Sequence, residues 1–523
     1  MRRSLPATLL GMLLLAPPLE AQILDHTMVP KGRLRLQASP VFESWDTRFG
    51  RDAQGAVEEK LGDDLTEPAT VALFPGVASL ASAVEAVTAT SFDPVLGSTA
   101  GLVRRDVTRI EFGGHLGVTD WLTLGVVFPW TRTRAVIDVA FTPDTANATL
   151  GLNPSITEPG SVDSFLGSLS AAEASAASFA ASECSAGPSP SCTAAQDLAA
   201  RTAAFEAALA TAYGASPFFP LSGTTAGDAL SQSASQLSAD LTAAGLSALL
   251  PMVLSTDLLA EEGDLATLPA LAGAGFDSGV LGTRQSLWSA GDVEASARMR
   301  LLDNLTPTGP EWTAPRLGYR LSGRFLVRLP TGTPPDPDLP LDLGTGDAQT
   351  DLEAGLTGSV RFGSRFGITA GGYYGVQGET TRTVRVVPPE QLFAPVATRT
   401  EVTWRPGAYM GAAVAPTLRL APSIMLAAEY RFFHKARDEF ELADVSSPLN
   451  PAVLAIESGV KAHVIGGGLR YDTVDAWRRG DASLPIEVHL RLLATVAGSG
   501  GQVPKATRVE AGLRLFRRFW GSE

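Results

Sequence analysis

The chain alternates apolar and polar positions. Ile110, Phe112, Gly114, Leu116 and Val118 form one row opposite Glu111, Gly113, His115 and Gly117; after the Thr119-Asp120 turn the apolar row resumes with Leu122, Leu124, Val126, Phe128 and Trp130. A period of two predicts half-buried strands, and a sandwich core and a lipid bilayer would both accept such a row. Some twelve segments share the pattern, near 32–46, 102–118, 121–140, 286–302, 314–330, 346–362, 366–386, 396–416, 423–441, 456–472, 484–497 and 505–520. Each reaches or exceeds the roughly 9 to 11 residues with which a tilted strand crosses a membrane.

The connections separate the two solvents. Those after the even-numbered segments are short or modest, including Thr119-Asp120, 303–313, Gly363 to Arg365, 417–422 and 473–483. Those after the odd-numbered segments include the long stretches 47–101 and 141–285, the acidic 331–345 and the segment 442–455. Short turns on one rim and long loops on the other match an outer-membrane barrel, whereas a soluble sandwich has no reason to sort its loops.

The faces agree. In the fourth segment Leu287, Val293, Ala295, Ala297, Met299 and Leu301 oppose Asp292, Glu294, Arg298 and Arg300, and the last sets Val509, Ala511, Leu513 and Leu515 against Arg508, Glu510 and Arg514. A bare charge facing lipid at the midplane costs roughly 2 to 4 kcal/mol, so the charged rows are expected to line the lumen. Glu111, His115, Asp292, Glu294, Arg298, Arg300, Arg324, Glu429 and Arg431 are the candidate lumen residues, setting pore polarity and holding barrel shape, mostly as ion pairs. Trp121, Phe362, Phe366, Tyr471, Phe519 and Trp520 fall where one aromatic girdle would lie, and Trp45, Trp130, Trp288, Trp404 and Phe432 toward the other.

Arg2 and Arg3, the apolar run Leu5 to Leu15 and the small residue Ala21 have the order of a secretory signal peptide. Residues 1–21 are therefore expected to be removed, leaving 22–523 as a barrel that includes 141–285 as an inserted segment. Beyond that run no apolar stretch approaches the roughly 18 residues of a spanning helix. A net charge of -14 argues against nucleic acid as a partner. The two cysteines, Cys184 and Cys192, flank a turn-forming SAGPSPS and could close a disulfide in an oxidising compartment.

Inside the insertion the period changes. Leu198, Phe205, Leu209 and Ala212 share one helical face, as do Leu230, Ala234, Leu237 and Leu241; outside the insertion, in the 47–101 connection, a second, shorter helix is expected near Val77 to Val87. Arg201 and Thr202 interrupt the first stripe. These helices are expected to form an Ala/Ser-rich extracellular cap over the pore, or else a ligand-gathering surface.

Two other clusters invite chemistry. Asp336, Asp338, Asp342 and Asp347 lie among prolines and glycines; hard oxygen ligands of this kind could bind calcium, but the spacing fits no known calcium loop, and a solvated acidic loop is expected. Of the five histidines, parity places His115, His463 and His489 in the lumen and His434 at the outer rim, while His26 lies near the N-terminus. No GxSxG motif or paired His/Ser signature accompanies them, so neither enzyme activity nor a metal or cofactor is expected.

The C-terminal RVEAGLRLFRRFW resembles the aromatic-terminated β-signal of bacterial outer-membrane proteins, with Gly521, Ser522 and Glu523 extending past the usual terminal aromatic. GHLGVTDWLTLGVVFPWTRTR, GDVEASARMRLLD and LSGRFLVRLPTGTP followed by LGTGDAQTDLEAGLTGSVRFG resemble the outer-membrane transporter family of the MetA-pathway-of-phenol-degradation type. That resemblance implies a barrel passing small, often aromatic, hydrophobic compounds. The expectation is an all-β transmembrane protein, an antiparallel outer-membrane β-barrel of about twelve strands with a largely α-helical extracellular insertion. It would contact outer-membrane lipid and act as a channel or transporter for small hydrophobic solutes. The alternatives are a surface interaction protein whose helical loop binds a partner and, further off, a barrel lipid hydrolase.

Overall fold

The structure, a computed structural model, describes residues 28–49, 57–66, 76–144, 146–258, 282–305, 315–339, 341–387, 394, 396–500 and 503–520. The expected signal peptide and the connection 306–314 lie outside them. The alternating rows become twelve spanning strands: β1 (Arg33–Trp45), β2 (Gly97–Gly117), β3 (Leu122–Pro143), β4 (Val293–Asp303), β5 (Leu317–Leu329), β6 (Asp351–Phe362), β7 (Phe366–Gln377), β8 (Tyr409–Ala421), β9 (Ile424–Lys435), β10 (Val460–Asp472), β11 (Ile486–Ser499) and β12 (Thr507–Arg518). Each pairs antiparallel with its chain neighbours, and β1 closes on β12 through registers such as Leu36↔Leu515 and Glu43↔Arg508. Closure leaves no open edge and satisfies the backbone within the wall, as hydrocarbon requires.

The apolar rows face outward. Phe112, Val126, Phe128, Leu356, Leu418, Leu469, Leu490 and Leu513 are exposed on the outside of the barrel, whereas Glu111, His115, Glu353, Arg431 and Glu510 are buried inside it. No helix among the described residues is long and apolar enough to cross a membrane; the strands do so. The protein is an outer-membrane β-barrel, with its short turns on one rim and its long connections on the other. Trp121, Phe362, Phe366, Tyr471, Phe519 and Trp520 are exposed at the short-turn rim, where amphipathic rings meet the interface. Trp45 and Trp404 depart from the expected girdle: both are buried, one in the cap and one in a sheet above the rim.

Three segments that read as single strands are bent in two. The stretches 366–386, 396–416 and 423–441 leave the wall near Gly378, Pro406 and Ala436, and their distal parts, Thr380–Arg385, Arg399–Arg405 and Glu439–Leu442, pair as a separate three-stranded sheet. Asp438 pins the bends: its carboxylate accepts from Gly407 N–H at 2.8 Å, Trp404 Nε1 at 3.1 Å and Lys435 Nζ at 2.5 Å. The period of two runs unbroken through each bend, so alternation could not reveal it.

Above the long-loop rim the connection between β1 and β2 contributes α1 (Gly76–Thr88), and the insertion is helical, with α2 (Pro159–Glu183), α3 (Pro190–Ala215) and α4 (Thr225–Ala243). Both expected stripes point into one core with Val77, Leu80, Phe165 and Leu169. Thr202, inside the first stripe, is buried, and its hydroxyl donates to Leu198 O at 2.7 Å, which removes the cost of a polar group there. Arg201 points out and pairs with Asp197 at 2.9 Å and with Asp240 of α4 at 2.8 Å. These bonds hold the Asp240 carboxyl below the usual carboxylate range. Cys184 and Cys192 are disulfide-bonded across the α2–α3 turn. Trp45, Val103, Ile137, Val139 and Phe141 share the same core, so β1 and the extended β2–β3 hairpin carry the cap.

Candidate functional site

The inner wall is a lattice of charges set by register. Glu294, Arg328 and Asp351 stand opposite one another on β4, β5 and β6. Arg328 bonds Glu294 at 3.1 Å and also bonds Asp351. Four residues along β5 toward the short-turn rim, Arg324 bonds Glu353, with Arg298 in register beside it on β4. On β9 Glu429 accepts from Arg431 Nε at 2.5 Å. Arg300, nearer the short-turn rim, lies 3.6 Å from Asp303 across a bulge that also turns both Leu301 and Leu302 outward. Opposite charges in hydrogen-bonded contact offset the cost of burial, whereas a single member left alone would cost about 3 to 5 kcal/mol.

Asp292 departs from the expected wall position. It sits one residue before β4, and its carboxylate accepts from Gly332 N–H at 2.8 Å and Asp347 N–H at 3.3 Å. It thereby ties the 331–350 loop to the wall. That loop is not the solvated one expected from composition. Asp338 pairs with Arg385 at 2.9 Å and Arg399 at 3.5 Å, Asp347 is buried, and Leu343 joins the cap core. Asp342 interacts electrostatically with Arg105 and Arg284, and Asp347 with Arg382 and Lys435. Basic residues on both sides of the mouth hold the acidic loop across it, a pairing between strands distant in sequence. Among the described residues no group of His, Cys, Asp and Glu is arranged to hold a metal ion.

Inward rings rest on glycines of the neighbouring strand. His115 stands in register with Gly125 and His489 with Gly512, and a Cβ at either glycine would come within 2.2 Å or 2.1 Å of the imidazole. Tyr373 lies over Gly411 and Tyr409 over Gly375 in the same way. His463 does not face the lumen: it lies on the outer face, where its Nδ1 is 2.8 Å from the Tyr430 hydroxyl. In KAHVIGGGLRY neighbouring Val464 and Ile465 are both apolar and three glycines follow, so neither row is marked as the inner one. His434 Nδ1 is 3.1 Å from Val460 O near the long-loop rim.

Sequence reasoning missed an apolar shelf within this polar wall. Leu326, Tyr373, Tyr409 and Ala413 are buried together inside the barrel, with Phe433 against them. Tyr373 and Tyr409 meet edge to face at 6.0 Å, and Tyr409 and Phe433 are 6.3 Å apart. Tyr373 is followed by Tyr374, which is exposed outside, so the doublet concealed which ring points inward.

Toward the short-turn rim the shelf gives way to a cavity of about 90 Å³, bordered by Ala415, Met425 and Ala427 on one side and by Arg470, His489, Arg491 and Arg514 on another. Across the base, Met28 and Val29 are buried in the barrel, with Val29 N–H donating to the inward Thr123 Oγ1 at 3.1 Å. From the long-loop rim to the short-turn rim the interior thus holds the acidic loop, the aromatic shelf and the arginine-lined cavity.

No protein-family model and no curated protein matches the chain, so the resemblance of its strand motifs to a transporter family is not carried by a family match. Solved outer-membrane barrels align along most of it. An outer-membrane channel of Pseudomonas putida F1 is 9% identical over 94% of this chain and 98% of that one, with a TM-score of 0.42. The translocator domain of the autotransporter NalP from Neisseria meningitidis is 7% identical over 96% and 94%, with a TM-score of 0.30. A FadL homologue of Pseudomonas aeruginosa is 8% identical over 93% and 90%, with a TM-score of 0.26. At these values the likeness is one of general architecture, and the site is read from this chain's own residues.

Proposed function

We propose that this barrel passes small hydrophobic solutes, aromatic ones among them, across the outer membrane. The observation that carries the reading is the shelf of Leu326, Tyr373, Tyr409 and Phe433 inside a lumen otherwise lined by ion pairs. A water-filled pore for polar solutes has no use for apolar surface at that depth, whereas a solute with a ring gains by stacking there, about 0.5 to 1.5 kcal/mol per aromatic contact beyond burial. Glu111, His115, Glu294, Arg298, Arg300, Arg324, Glu429 and Arg431 hold the barrel in shape around that path, and Asp292 holds the mouth loop. The segment 141–285 acts as an extracellular cap that restricts entry.

The test is solute flux into proteoliposomes whose outer leaflet carries lipopolysaccharide, which slows direct permeation of apolar molecules. Benzyl alcohol should enter faster than through protein-free vesicles, and Tyr373→Ala with Tyr409→Ala should change that rate while the barrel still shifts its gel migration on boiling. Background-level flux in the folded wild type would sink the reading.

A further inference from the structure

Two buried nitrogens at the cavity at the base of the lumen, Arg491 Nη1 and His489 Nε2, have no hydrogen-bond partner among the described residues. Three guanidinium groups border it, those of Arg470, Arg491 and Arg514, together with the His489 ring. Glu487 is shared by Arg470 and Arg514, each at 2.8 Å. Glu510 lies 3.5 Å from His489 Nε2 and 3.6 Å from Arg491 Nη1, too long for good hydrogen bonds. The other nearby acids are engaged: Asp472 by Arg470 at 2.6 Å and Glu429 by Arg431 at 2.5 Å.

The neighbouring strands β8 and β9 bring different chemistry, with Met425 in register beside Arg470. Ala415, Met425 and Ala427 turn uncharged surface toward the same space, and Glu429, the one acid on that side of the lining, is held by Arg431. A group that fills it well must therefore offer an oxyanion on one side and apolar atoms on the other. Planar guanidinium groups meet carboxylates in paired, parallel hydrogen bonds.

We infer that this cavity binds the carboxylate of a small organic acid against Arg491 and His489, with the apolar body of the acid lying on Met425 and Ala427. The inference rests on the solute-passage reading and narrows its substrate class: the solutes held at the periplasmic end of the path are anionic as well as apolar. Nothing covalent is required. The acid takes up donors that Glu510 leaves unused and exchanges with the periplasm through the base.

Binding of benzoate to the full-length protein in detergent, measured by calorimetry beside benzyl alcohol and sulfate, tests it. Benzoate should bind about tenfold or more tightly than benzyl alcohol, since a charge-assisted bidentate contact is worth at least that factor. Arg491→Gln should remove most of the difference, Arg491→Lys should retain part of it, and Ala427→Phe, which fills the cavity from the uncharged side, should weaken benzoate without altering a charge. Equal affinities for benzoate and benzyl alcohol in the wild type would overturn the inference, as would sulfate binding as tightly as benzoate, which would leave an inorganic-anion site only. These wild-type comparisons decide the matter even if a variant fails to fold. Benzyl alcohol flux without benzoate preference would leave solute passage standing and remove this site; Arg491-dependent benzoate binding without flux of any solute would do the reverse.

Discussion

The imidazole of His489 on β11 occupies the space that a side chain on Gly512 of β12 would need: a Cβ at Gly512 would lie 2.1 Å from the ring Cε1. The two residues are in register, so neither can move away without disturbing the pairing of the strands. Gly512→Ala should therefore overpack the wall and lower stability by about 1 to 3 kcal/mol. Adding His489→Ala should return most of that loss, which a urea unfolding series on the single and double variants would read directly.

The pair between Arg324 and Glu353 makes a separate prediction. Both are buried and bonded to each other inside the barrel. Glu353→Ala leaves a buried guanidinium short of its partner and should cost about 3 to 5 kcal/mol. Replacing both, Arg324→Met with Glu353→Leu, should be much milder. If single and double variants lose stability equally, the pair does not act as a unit.

At the mouth, Asp292 should control how far the acidic loop closes. Its two backbone hydrogen bonds, accepted from Gly332 and Asp347, tie loop to wall beside the hydroxyls of Thr331 and Thr345, which donate to Gly291 O and Ala290 O. Asp292→Ala should free the loop and raise single-channel conductance in planar bilayers without changing barrel assembly. Unchanged conductance would mean that the Thr331 and Thr345 bonds and the pairs of Asp338 with Arg385 and Arg399 suffice to hold it.

The cap should loosen when its turn is released. Cys184→Ser with Cys192→Ser unlinks α2 from α3, and removal of a native disulfide costs typically 2 to 4 kcal/mol of local stability. Flux of small aromatic solutes should rise, and replacing residues 145 to 283 by a short turn should raise it further. That deletion also exposes Ile137, Val139 and Phe141, so its yield of folded barrel should be lower than that of the cysteine variant.

Acid should weaken the cap at one identifiable point. The Asp240 carboxyl is depressed by its bond to Arg201, so its contribution is present above its unfolded pKa and is lost as pH falls through the lower folded value. Hydrogen exchange in α3 and α4 should therefore quicken on acidification below about pH 4, and Asp240→Asn should remove this dependence while leaving exchange at neutral pH slightly faster.

The strands, their faces and the two rims were legible in the sequence because each is a local property. A tilted strand crossing lipid must present one row to hydrocarbon, so the pattern around Phe112 and Glu111 identified both sides without any knowledge of neighbours. The helical stripes of α3 and α4 were legible for the same reason, and the membrane assignment followed from the alternation of loop lengths. Tertiary structure alone decided what lay between distant segments. Asp292 left the wall because a loop some forty residues away needed its carboxylate, and the acidic loop lost its solvent because Arg385 and Arg399 stand on a sheet that no period distinguishes from the barrel below it. The aromatic shelf and the arginine-lined cavity were hidden likewise. Tyr373, Tyr409 and Phe433 come from three strands, and Arg470, Arg491 and Arg514 from three more. Whether inward side chains meet, pair or leave donors unused depends on register and closure, which bring residues together across the lumen and which a single strand's alternation does not contain.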